Sequence, residues 1–192
     1  MEETKVFVVA NEVLLALIKQ IKSAQWDMAV PAEMTWQPDQ RLRDIVNYHI
    51  YDDAWVPDML AGRTMAEVGN AYDFLRSTTD SVAEYEKYNS RANKAVESFK
   101  DFDRIAHLSY GDYTAREYLT HITLYRGLHI FDIANLIGAK IQVPDELVRG
   151  LWEIVEPQAQ VLRDMHVIGA EVPVPKDAPL IDRLLGLTGR HR

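Results

Sequence analysis

Residues 42–62 read LRDIVNYHIYDDAWVPDMLAG, and in this stretch Leu42, Val46, His49, Asp53, Val56 and Leu60 recur at intervals of four, three, four, three and four. Positions three and four apart share one helical face, so the alternation describes the seam of a helix packed in a bundle. Pro57 would kink or restart that helix, and Gly62 is placed to stop it. Two seam members, His49 and Asp53, are polar. The pattern returns at 114–138, TAREYLTHITLYRGLHIFDIANLIG, where Tyr118, Ile122, Tyr125, His129, Asp132 and Leu136 repeat the same spacing. Thr114 and Glu117 form a capping box that starts this helix, and Gly138 lies just past its end. This seam too is polar in its middle.

Around these two segments the chain reads as helix joined by loops. Val6, Val9, Val13, Leu17 and Ile21 predict an amphipathic first helix, followed by a connection from Trp26 to Pro38. Residues 62–80 carry turn signals with at most short helical turns. A third long helix has the seam Val82, Tyr85, Ala92, Val96 and Phe99, capped by Asp80 or a neighbouring threonine. Residues 100–113, with His107 and Gly111, read as a connection. A further helix starts at Pro144 and runs to about His166 with a break at Pro157, and the tail reads as a proline-rich strap and one short helix. The expected class is all-α, an up-and-down bundle over about 1–140 with a C-terminal helical extension over about 141–192.

With 192 residues and 47% apolar content, one domain is expected. A net charge of -8 repels a phosphate backbone and argues against nucleic acid or an anionic membrane surface as partner. The acidic start MEETK is unlike a signal peptide, and Asn11, Glu12, Lys19 and Gln20 interrupt the first apolar stretch, so a cytoplasmic protein is expected. Cysteine is absent, so any metal would need nitrogen or oxygen ligands.

An ionisable group in a core seam is costly unless it is partnered or used. His49 and Asp53 on one helix, and Tyr125, His129 and Asp132 on another, converge on one cavity if the two helices are neighbours, and bundles build metal and ligand sites in that way. The plain alternative is a satisfied buried network, His49 with Asp132 and His129 with Asp53. His107, His166 and His191 read as solvated, Trp26, Trp36, Trp55 and Trp152 as core or bundle-edge aromatics, and Arg126 as a surface residue on another helical face.

NYHIYDDAWVPDMLAG resembles the segment of the DinB-like proteins, and of the metal-site domain of mycothiol-dependent maleylpyruvate isomerase, that supplies a histidine ligand; His49 falls on that ligand. LSYGDYTAREYLTHITLYRGLHIFDIANLIGA, with VPDEL, PVPKDAP and RLLGLTGR, resembles an actinobacterial branch of the same superfamily, covering with the first segment about two thirds of the chain. The resemblance implies a four-helix bundle with a C-terminal extension and a second histidine ligand at His129. Four residues before His129 the family places a carboxylate or imidazole, where this chain has Tyr125, a poor zinc ligand. Asp53, one turn from His49, could replace it, giving His49, Asp53 and His129 as ligands with Tyr125 as a hydroxyl donor beside them.

Three functions follow as expectations. One is a metal-dependent isomerase or transferase acting on a small organic molecule with zinc or a nickel-like ion and a low-molecular-weight thiol. Another is a metal-free acid–base cyclase, isomerase or dehydratase using the same cavity. The last is a binding module or homodimeric interaction protein whose pocket only recognises a small molecule.

Overall fold

The computed structural model describes residues 3–35 and 37–191; Trp36 lies outside them. The chain is mostly helical, with one two-stranded antiparallel hairpin among the described residues. The helices are α1 (Glu3–Ile18), α2 (Leu42–Leu60), α3 (Met65–Val68), α4 (Ser81–Ser98), α5 (Ala115–Ile137), α6 (Asp145–Val155), α7 (Ala159–Asp164) and α8 (Leu180–Leu187). The strands are β1 (Ile105–Leu108) and β2 (Gly111–Thr114). Among the described residues no helix is long and apolar enough to cross a membrane.

Contacts divide the chain into two compact units that meet in sequence between Ile141 and Gln142. In the longer unit α1 packs on α4 and α5, α2 packs on α4, and α2 and α5 make a looser contact. The seam of α2 is buried from Leu42 to Leu60, His49 and Asp53 included. Pro57 neither breaks nor restarts α2: it falls in the last turn, and the Ala61 amide still donates to the Pro57 carbonyl at 3.0 Å. On α1 the buried stripe is Val6, Phe7, Ala10, Leu14 and Leu17; Val9 and Val13 are half-buried, so the expected stripe is rotated by about one position. Each fully buried leucine there contributes about 1.5–3 kcal/mol.

The start of α5 follows its capping box: the Thr114 hydroxyl accepts from the Glu117 amide at 3.3 Å, and the Thr114 amide donates to Glu117 Oε2 at 2.8 Å. Gly138 closes the helix in the left-handed region, φ 67°. Residues 105–113, expected as part of a connection, form a hairpin with Thr114 instead, Ile105 standing opposite Thr114 and Leu108 opposite Gly111. Four-residue strands are too short to show an alternation, which is why they read as loop. Gly111 at φ 140° makes the turn, where a Cβ would press to 3.2 Å of the Tyr113 ring.

The shorter unit has its own core. α6 packs on α8, and on these two helices Leu147, Leu151, Ile154, Leu184 and Leu185 are buried. The strap before α8 is pinned by Val172 N–H donating to the Gly186 carbonyl at 2.8 Å, and the Arg183 guanidinium lies 4.6 Å over the Trp152 ring.

Candidate functional site

The gap between α2 and α5 is filled by the polar seam members. His49, fully buried, and His129, 5% exposed, meet with Nε2 of the first 2.9 Å from Nδ1 of the second, one of them donating. The Tyr125 ring covers both, its centroid 4.8 Å from that of His49 and 4.2 Å from that of His129. Burial pushes the His49 pKa well below its ordinary value, and His129 and Arg126 add to the shift, so this imidazole is neutral at neutral pH. Its Nδ1 is buried and without a partner among the described residues. Burial drives the Tyr125 phenol well above its usual value, so it keeps its proton.

Asp53 does not join the imidazoles. Its Oδ1 accepts from Arg126 Nη2 at 2.6 Å and from Asn11 Nδ2 at 3.3 Å, and both ion-pair partners are fully buried. Burial raises the Asp53 carboxyl to about 6, while Arg126 and Asn11 pull it down and keep it ionised at neutral pH. Arg126 is thus corrected from surface to core. It lies about 100° around the helix from Tyr125, but α5 is covered by α1 as well as by α2, so that face is buried against Phe7, whose ring centroid is 5.0 Å from the guanidinium carbon. The network continues from Asn11 Nδ2 to Asn93 Oδ1 at 2.9 Å, and from Asn89 Nδ2 to the Asn11 carbonyl at 3.1 Å. Neither of the two pairs expected for a purely structural network forms, since His49 bonds His129 and Asp53 bonds Arg126. Asp132, half-buried, lies one turn beyond His129 and does not reach His49.

The sequence reading also passed over Asp52. It stands four residues after Tyr48 and three after His49, and its negative charge helps raise the phenols of Tyr48, Tyr110, Tyr118 and Tyr125 above their ordinary value. Burial pushes its carboxyl up to about 7 against the pull of Arg126, with Asp53 adding to the rise. Only the Asp-Asp doublet hinted at it, and the seam spacing selected the second member. On the outer side of Tyr48 a cleft of about 300 Å³ is lined by Gln37, Gln40, Asp44 and Arg76, among others. Tyr48 stands edge-on to Tyr125 at 6.2 Å and so connects this cleft to the histidines.

A catalytic zinc takes three protein ligands and keeps one position open. The donor set expected from sequence was His49, Asp53 and His129, and Oδ1 of its carboxylate is bonded to Arg126, whose positive charge opposes an added cation. Tyr125 is neutral and a poor substitute. Among the described residues no group of three or more histidines and acidic residues is arranged to hold a metal ion. The residues present therefore do not fit a resident three-ligand metal centre; they make a pair of hydrogen-bonded imidazoles under a phenol. Compared with protein-family models, with curated proteins and with solved structures, the chain has no match.

Proposed function

We propose that this chain is a cytoplasmic small-molecule enzyme with a DinB-like up-and-down four-helix bundle, moving a proton at a carbon next to a carbonyl. The observation that carries the proposal is the His49–His129 bond of 2.9 Å beneath the Tyr125 ring. Support for the family comes from the two histidines at ligand-like positions, which lie on α2 and α5 and meet, as the resemblance implies.

The imidazole pair is the base. His49 is neutral, so the pair carries a lone pair, and the proton it takes is shared across two rings rather than held on one. Tyr125 is the acid: its phenol stays protonated and donates to the carbonyl oxygen as the C–H proton moves to imidazole. The electron pair of the broken C–H bond passes to the carbonyl, giving an enol. Where the substrate carries a C=C bond next to the α-carbon, the enol is a dienol, and return of the proton to its far carbon, with the phenol recovering its own proton from the enol oxygen, completes an isomerisation in which nothing else is consumed.

The test is solvent exchange. In D2O the protein is expected to catalyse loss of the α-C–H signals of at least one member of a panel of small ketones and keto acids, followed by proton NMR. His129→Ala and Tyr125→Phe should each lower that rate by on the order of 10²–10⁴. No exchange in any compound, or exchange that survives both substitutions, overturns the proposal.

A second reading keeps zinc or a nickel-like ion and a thiol, and what favours it is the approach of two imidazole nitrogens within 2.9 Å. Two imidazoles without a carboxylate hold such an ion weakly. Elemental analysis of protein purified without added metal separates the two: stoichiometric metal, with exchange lost on chelation, supports the second.

A further inference from the structure

A row of aromatic rings along α2 takes no part in the proton chemistry above. Tyr48, Tyr51 and Trp55 stand three and four residues apart and so share one helical face. Ring centroids are 6.1 Å apart between Tyr48 and Tyr51 and 5.9 Å between Tyr51 and Trp55. Tyr72, on the segment between α3 and α4, continues the row with its centroid 5.7 Å from that of Trp55. At the other end Tyr48 lines the cleft of about 300 Å³ and adjoins Tyr125 at 6.2 Å. Separations of this size are those of rings in edge or offset contact, so four rings run from an open cleft to a buried phenol.

The buried end of the row has an acceptor for a proton. The Tyr72 hydroxyl donates to Asp58 Oδ2 at 2.7 Å, and Asp58 Oδ1 accepts from Arg63 Nη1 at 2.9 Å. Tyr72 and Asp58 are both buried, and their bond is short and charge-assisted. A phenol gives up an electron readily only when its proton leaves too, and here a carboxylate stands ready to take it. Trp55 is the reverse case: its Nε1 is buried without an acceptor among the described residues, so the indole can pass a hole on but cannot keep it by losing a proton. The guanidinium carbons of Arg76 and Arg91 lie 5.5 Å from the Tyr51 centroid and 5.8 Å from that of Tyr72. A cation over a ring opposes positive charge within it. Tyr51 therefore hands a hole on, and Tyr72 holds one only as the neutral radical left when its proton moves to Asp58. Cysteine is absent, which leaves tyrosine and tryptophan as the side chains that most readily give up a single electron.

We infer that the row Tyr48, Tyr51, Trp55 and Tyr72 is an electron relay that discharges a one-electron oxidant of the oxygen-centred radical class arriving at the cleft. One electron leaves Tyr72 and reaches the oxidant through Trp55, Tyr51 and Tyr48, while the Tyr72 proton passes to Asp58 Oδ2. The products are the reduced oxidant, a neutral Tyr72 radical and a protonated Asp58. Electron transfer falls off steeply with distance, so short steps between touching rings outrun one jump over the same span. The relay stands apart from the acid–base reading; its effect there is to draw oxidation away from Tyr125, the neighbour of Tyr48.

Because the sequence has no cysteine, Gln37→Cys puts a single thiol at the wall of the cleft for a ruthenium tris-bipyridine label. A flash with a sacrificial acceptor leaves oxidised ruthenium there, and electron paramagnetic resonance of frozen samples reads where the hole settles. A tyrosyl signal is expected that is lost in Tyr72→Phe, and lost in Asp58→Asn, whose amide takes no proton. Trp55→Phe, which keeps a ring too hard to oxidise, should abolish it as well. The same label on Ala71→Cys, next to Tyr72 in sequence and exposed, separates a broken relay from a disturbed fold. From that position the Tyr72 signal should form in Trp55→Phe as it does in the parent. No tyrosyl signal from the cleft label, a signal that survives Tyr72→Phe, or one that survives Trp55→Phe overturns the inference. Loss of the signal from both label positions in Trp55→Phe overturns it too, since Trp55 would then act on the setting of Tyr72 and not in the path.

Discussion

A guanidinium with no exposed surface needs a carboxylate, and Arg126 takes Asp53, which leaves Asp52 without that bond. The consequence appears in stability against pH. The Asp52 carboxyl moves from an ordinary 3.8 to about 7, so the folded protein holds a proton that the unfolded chain has released across that window. Its contribution is fullest below the unfolded value and is lost as pH rises through about 7. His49 acts with the opposite sign, since its pKa is lowered: below 6.5 the unfolded chain takes up a proton that the folded protein refuses, and stability falls as pH drops. Between pH 6.5 and 8 the Asp52 effect stands largely alone. Urea denaturation should show stability declining over that interval, and Asp52→Asn should flatten the decline; an unchanged slope would place the titration elsewhere. At this scale the spacing of polar residues in two seams marked His49, Asp53, Tyr125 and His129. It selected Asp53 and passed over Asp52, which stands one position off the seam, and it could not show that Arg126 is buried, because that depends on α1 covering α5.

Between elements, the Asp53–Arg126 pair links α2 to α5 where their contact is otherwise loose. Arg126→Leu strands a buried carboxylate and should cost about 3–5 kcal/mol by denaturant unfolding. Adding Asp53→Leu should recover most of that loss, since two apolar side chains need no partners; a double variant as unstable as the single one would contradict this account. At the head of α5, Thr114→Ala removes the acceptor for the Glu117 amide and should cost about 1 kcal/mol. The long helices and the α5 cap were legible because periodicity and capping are local. The hairpin was not: β1 and β2 show themselves only by pairing with each other, and pairing is invisible in four-residue strands.

Across the whole molecule, the site depends on α2 and α5 being held so that two imidazoles from residues eighty positions apart share one hydrogen. Nothing in the order of residues states that distance, and a metal-bridged arrangement of the same two histidines fits the same seam spacing. What separates the two is the partner of Asp53. The most direct measurement is nitrogen-15 NMR of the histidine side chains in metal-free protein at pH 7, followed by addition of one equivalent of zinc. The account predicts that His49 and His129 are both neutral, with one N–H joined across to the other ring, and that the added zinc leaves these signals in place. Two lone-pair nitrogens that shift together on stoichiometric zinc uptake, or an imidazolium at either position at pH 7, would contradict it.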